Sequence, residues 1–228
     1  MDPVSAPAAE RLLALEVGAH RASQIRSVAL GTSHALANAL QALSGTGRSE
    51  DRDRAARAHL AAASRVLSAM ARTPEDGVAP TLVEDLLEEV DQWQRFQAAL
   101  PPATLRIERT VRLPAVRARR GSLHQALLAV VTHVKEGMAG PAAAEIRIVA
   151  GAEGGRVRLR VEPSGSAPTR SDPVIRVASG LSSGDFSAAA FGLAVAHHLF
   201  ERDGGTLFAD RDGDGAAIVV ELLAWPRS

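Results

Sequence analysis

The 228-residue chain contains no cysteine. Disulfides, thiolate catalysis and zinc–thiolate sites are thereby excluded. Lys135 is the sole lysine and Asn38 the sole asparagine. Neither sign of charge predominates: 26 basic and 26 acidic residues give a formal net charge of zero. That argues against a nucleic-acid binder held by phosphate contacts, which needs a basic excess. No apolar run approaches the roughly 20 residues that cross a bilayer. The opening "MDPVSAPAAERLLALE" lacks the basic start and apolar run of a signal peptide. These absences predict a soluble, cytoplasmic protein with neither a membrane nor a nucleic-acid partner. What is present is an ordinary globular balance, 46% apolar and 23% charged. The length suits one large domain or two small ones.

From about residue 6 to 73 the apolar residues keep helical spacing. Ile25, Val28, Leu36, Leu40 and Leu43 fall on one stripe, expected to be buried. "SGTGRSED", residues 44 to 51, interrupts it, with Ser49 as an N-cap for a second helix. That helix carries Leu60, Val66, Leu67 and Met70 on its apolar face and ends near "RTPEDG", at Pro74 and Gly77. Two helices cannot cover each other's stripes, so pairing with a second copy into a four-helix bundle is predicted.

After residue 80 the period changes. "TLVEDLLEEVDQWQRFQAAL" is an amphipathic helix closed by Pro101 and Pro102, and "TLRIERTV" alternates as a strand. "SLHQALLAVVTHVKEGM" is a helix with Ser122 as its cap. "EIRIVAG" and "RVRLRVE" form a hairpin across "AEGG". "FGLAVAHHLFERD" is helical, and "GTLFAD" pairs with "AAIVVELL". The order predicts a two-layer α/β sandwich, one sheet with helices on one face. The expected division is a helical hairpin over 1–77 and a sandwich over 78–228.

This layout resembles the core of a two-component sensor histidine kinase, a dimerising phosphoacceptor hairpin followed by an ATP-binding sandwich. "SHALANALQALSG" is similar to the family's phosphoacceptor box, "SLHQALLAVVTHVKEGM" to the box that carries a magnesium-binding asparagine, and "FGLAVAHHLFERDGGTLFAD" to the closing helix and turn. The resemblance makes His34 the phosphoacceptor, with Asn38 one turn beyond it. It also exposes departures. The magnesium-binding position is His133, and the asparagine a turn earlier is Ala129. The adenine-reading aspartate falls at Glu162, and the phosphate-covering glycines at Ala188 and Ala190, leaving only Gly192. The acid beside the acceptor, the family's base for self-phosphorylation, is Ala35.

Several of these departures weaken the nucleotide site by separate physical routes. An alanine forced to positive φ costs about 1–2 kcal/mol and fills space that a phosphate needs. Imidazole is a poor magnesium ligand, because that cation prefers oxygen. The expectation is a fold retained without its nucleotide, and so no cofactor and no metal. A phosphotransfer protein is then implied, similar to dimeric bacterial phosphotransferases built on decayed kinase cores: a homodimer accepting phosphate on His34 from a response-regulator receiver domain. Two alternatives stand beside it, a non-catalytic pseudokinase scaffold and an active kinase with an atypical ATP site.

The residues themselves make His34 a reasonable nucleophile. At 100° per residue it lies about 200° from Leu36, and Asn38 only about 40° from His34. Imidazole, with an ordinary pKa of about 6.5, is nucleophilic at neutral pH.

Other patterns carry less. Asp210, Asp212, Asp214, Gly215 and Glu221 match the spacing of a calcium loop, but strand patterns flank them where helices are required. His197 and His198 are adjacent and diverge around a helix. His133 and Glu136 share a face but read as polar remnants, and "SEDRDRAARAH" reads as a solvated helix start.

Overall fold

The computed structural model describes residues 6–44, 50–70, 77–96, 103–138, 144–164, 188–210 and 217–226. The N-terminal hairpin pairs α1 (Ala6–Ser44) with α2 (Glu50–Met70). At 1.5 Å per residue α1 is about 58 Å long. Three acids, Glu50, Asp51 and Asp53, occupy the first turn of α2, where the helix dipole favours negative charge. The buried seam is made of small side chains: Val28, Thr32 and Ala39 on α1 face Ala56, Ala63 and Val66 on α2. Thr32 satisfies its hydroxyl inside its own helix, donating to the Val28 carbonyl at 2.7 Å.

The expected stripe is therefore displaced. Val28 belongs to the seam, but Leu36 is only partly buried and Leu40 is 59% exposed. The reason is angular. Val28, Thr32 and Ala39 fall within about 40° of one another, whereas Leu40 stands about 100° from Ala39. The helix α2 covers one side of α1, and the leucines mark another.

The sandwich contains α3 (Val83–Arg95), α4 (Arg120–Gly137) and α5 (Ala188–Arg202) against a five-stranded sheet. Its strands are β2 (Ala103–Arg109), β4 (Ala144–Glu153), β5 (Arg156–Ser164), β6 (Thr206–Asp210) and β7 (Ala217–Leu223), in the order β2-β4-β5-β7-β6. The β2–β4 pair is parallel and the others are antiparallel. Alternation does the layering. Ile146, Ile148, Val157, Leu159, Val161, Ile218 and Val220 face inward and meet Leu86, Leu127, Leu128 and Phe200 from the helices. Each such side chain contributes about 1.5–3 kcal/mol on burial. The β4–β5 turn needs left-handed backbone at both central positions, and Gly154 and Gly155 supply it at φ 57° and 76°.

The outer sheet face carries an arginine–carboxylate ladder. Arg147 bonds Glu108 at 2.7 Å and Glu162 at 3.2 Å, and Arg160 bonds Glu162 at 2.8 Å and also Asp210. The hydrogen bond from Arg147 holds the Glu108 carboxyl below its usual range.

Two features differ from expectation. A further pair of strands, β1 (Ala79–Thr81) and β3 (Val116–Ala118), forms a small antiparallel sheet; at three residues each, neither has a readable period. Ser122 does not cap α4, whose N-cap is Arg119 without a side-chain bond. Asp203, just past α5, accepts from the Arg119 backbone N–H at 2.9 Å, while Ser122 accepts from Arg202. Tertiary contact has replaced a local cap. Asp210 ends β6 and Glu221 lies within β7, while Asp212, Asp214 and Gly215 lie outside the described residues, as does Ser49. No helix among the described residues is long and apolar enough to cross a membrane.

Candidate functional site

His34 and Asn38 are both exposed on α1 and line one cleft of about 910 Å³. The α1 wall also includes Leu30, Gly31 and Ala35. The α2 wall is Ala58, His59, Ala62 and Arg65, and the C-terminal end of α3 closes the third side with Asp91, Gln92, Arg95 and Phe96. The cleft exists because the sandwich sits close against α1. A Cβ built on Gly31 would overlap the backbone carbonyl of Phe96, so only glycine admits this approach.

The α3 wall is anchored from behind. Lys135 on α4 is 3% exposed and donates to the Gln94 carbonyl at 3.0 Å and to its side-chain oxygen at 3.1 Å. A cation at the end of α3 answers carbonyls that have no partner within the helix. Burial lowers the Lys135 ammonium to about 8. The fully buried Gln94 amide reaches Asp91 at 3.3 Å, and Asp91 in turn pairs with Arg95 at 2.6 Å. Arg65 donates from Nε to the Gln92 side-chain oxygen at 3.4 Å, joining α2 to α3.

A second contact holds α1 to the sandwich. Gln125 on α4 donates to the Val17 carbonyl at 3.2 Å and lies 3.4 Å from His20 Nδ1. His20 also packs on Gly192, where an added Cβ would come within 3.0 Å of Nε2. Burial lowers the His20 pKa.

The positions aligned with a nucleotide site do not gather in this cleft. Ala129 is 2% exposed on α4, with His133 half-buried one turn on, and α5 packs alongside carrying the buried Gly192. Glu162 lies in β5 with the exposed-side residues Arg158 and Arg160, and its carboxylate belongs to the outer ladder. Ala188 and Ala190 open α5, their side chains outside the described residues. Burial raises the Glu136 carboxyl. His197 faces Glu201 at 3.4 Å. Among the described residues no three histidines or carboxylates gather as a metal site.

His59, Arg65, Asp91 and Arg95 were not singled out by the sequence. Ala58, Ala62 and Arg65 do share a helical face. Nothing in the spacing says that this face, or the end of α3, turns toward His34.

No protein-family model matches the sequence, and no curated protein does. Solved structures do. The nucleotide-free catalytic domain of histidine kinase ThkA is similar at TM-score 0.54 and 18% identity, over 65% of this chain and 97% of its own. Full-length ShkA in complex with AMPPNP gives 0.52 at 21% identity, over 95% of this chain and 47% of its own. A bacterial phosphotransferase gives 0.54 at 17% identity, over 92% of this chain and 96% of its own. The expected architecture is thus found: this chain has the fold of a two-component histidine kinase core, a helical hairpin followed by an ATPase-type α/β sandwich.

Proposed function

We propose that this protein is a histidine phosphotransfer protein of a two-component relay, taking phosphate onto His34 from the aspartyl phosphate of a receiver domain, with no use of ATP. The observation that carries this is the placement of His34 and Asn38, both exposed, on one wall of an open cleft. An imidazole reachable from outside needs mainly positioning for in-line transfer, and a receiver brings its own metal. Asn38 orients the ring or the phosphoryl oxygens by hydrogen bonding. The likeness to a bacterial phosphotransferase over nearly the full length of both chains supports the reading.

The loss of ATP use rests on Ala35, Ala129, His133, Ala188 and Ala190, and on Glu162 being engaged by Arg147 and Arg160. Residues 1–77 are assigned the acceptor hairpin and 78–228 the degenerate sandwich. Leu15 and Leu40, exposed within about 20° of each other around α1, support a homodimer built as a four-helix bundle.

The test is incubation with phosphorylated receivers, followed by assay for acid-labile, base-stable phosphohistidine. His34→Ala abolishes labelling with the fold intact, since an exposed helical position tolerates alanine. Asn38→Ala slows transfer without preventing docking. If no receiver transfers, or His34→Ala accepts phosphate as well as wild type, the relay role falls and a scaffold role takes its place. Calorimetry with ATP and magnesium checks the second half of the reading, where a micromolar dissociation constant would restore the kinase alternative.

A further inference from the structure

We propose that Arg65 binds the phosphoryl group carried on His34, across the cleft that the two residues line. This assignment rests on the reading of His34 as acceptor and adds to it the group that meets the transferred charge.

Phosphorylated imidazole brings nearly two negative charges and three strong acceptor oxygens into the cleft. Charged and titratable side chains reach that space from two of its walls: His59 and Arg65 from α2, Asp91 and Arg95 from α3. The α1 wall adds only the neutral amide of Asn38 beside His34 itself. Arg95 is already answered by the Asp91 carboxylate at 2.6 Å. Arg65 is held differently, by a single long bond to the neutral amide oxygen of Gln92 at 3.4 Å. Its positive charge has no carboxylate partner among the described residues, and a bond of that length is exchanged at small cost. A guanidinium also presents a planar fork of donors that fits two oxygens of one phosphoryl group, which the amide of Asn38 cannot match. Space is provided as well. Small residues line the same walls, Ala58 and Ala62 on α2 and Gly31 and Ala35 on α1.

In the transfer, a lone pair on the His34 imidazole forms the N–P bond while the P–O bond to the receiver's aspartate breaks. The carboxylate leaves, and the proton on the other ring nitrogen passes to water. Arg65 meets the equatorial oxygens during the step and keeps them afterwards.

The experiment uses the full chain and phosphoramidate, a small-molecule phosphoryl donor that needs no receiver. The His34 signal is identified in phosphorus NMR by its loss in His34→Ala, and its pH titration is compared among wild type, Arg65→Gln and Arg65→Lys. Removing the cation raises the phosphoryl ionisation by about half a pH unit in Arg65→Gln, and Arg65→Lys restores part of it. A purely structural role for Arg65 leaves that titration unmoved. An unchanged titration in Arg65→Gln, or no His34-dependent signal in wild type, overturns the assignment. Should phospho-His34 titrate as expected yet no receiver transfer to it, the relay reading fails and Arg65 keeps its role. Should receivers label His34 while Arg65→Gln titrates like wild type, the reverse holds.

Discussion

Phe200 and Leu128 of the sandwich are almost wholly buried, whereas Leu15, Leu30 and Leu40 of the hairpin remain 70, 65 and 59% exposed. The sandwich surrounds its large side chains from two layers. The hairpin closes its seam with small side chains and leaves these three leucines outward. The difference separates two tasks. A two-layer body can bury its core alone, while a two-helix hairpin leaves large apolar side chains uncovered and a cleft open.

The comparison is broken most strongly from the sandwich side. Phe200→Ala should destabilise the protein by about 3–5 kcal/mol, since it empties a site packed by both layers, as read by chemical denaturation. Next comes the alkaline limb. Lys135 sits at about 8 when folded, against 10.5 for the free side chain. Between those values the unfolded chain holds a proton that the folded chain has released, so stability rises with pH across the window. The gain is full above 10.5, at most about 3 kcal/mol, and lost as pH falls through 8. Lys135→Met should flatten this slope in denaturation curves measured from pH 7.5 to 10.5.

Gly31→Ala tests the join between the two bodies. Overlap with the Phe96 carbonyl should cost about 1–3 kcal/mol and push α3 off α1. Hydrogen exchange should then quicken at the end of α3 while the sandwich core stays protected. The smallest effect belongs to the hairpin flank. Leu40→Ser should change the stability of an isolated chain by no more than about 0.5 kcal/mol, yet sedimentation should show weaker dimers if that flank is shared between copies.

The strands and helices of the sandwich were legible because period-two and period-3.6 patterns are local, and "AEGG" marked a turn that only glycine fits comfortably. The seam of the hairpin was not. Leucine spacing shows where an apolar stripe runs but not which neighbour covers it, and α2 chose the alanine side. Ser122 misled for a related reason: a serine near a helix start looks like a cap until Asp203 arrives from elsewhere in the chain. His34 and Asn38 could be picked out because they are neighbours on one helix. Arg65, Asp91 and Arg95 come to line the same cleft only through the packing of three separate elements, and no sequence period records such a meeting.

Lys135 has a use beyond the pH curve. The chain holds one ε-amine and no thiol, and that amine is tucked between α3 and α4, bonded twice to Gln94. An acylating reagent applied to the native protein should therefore reach this side chain only when its surroundings open. The rate at which Lys135 is acylated becomes a clock for the opening of one defined place, the corner that forms the third wall of the cleft. Mass spectrometry can read that clock with no label introduced, and under the proposed relay role a receiver docked at the cleft should slow it.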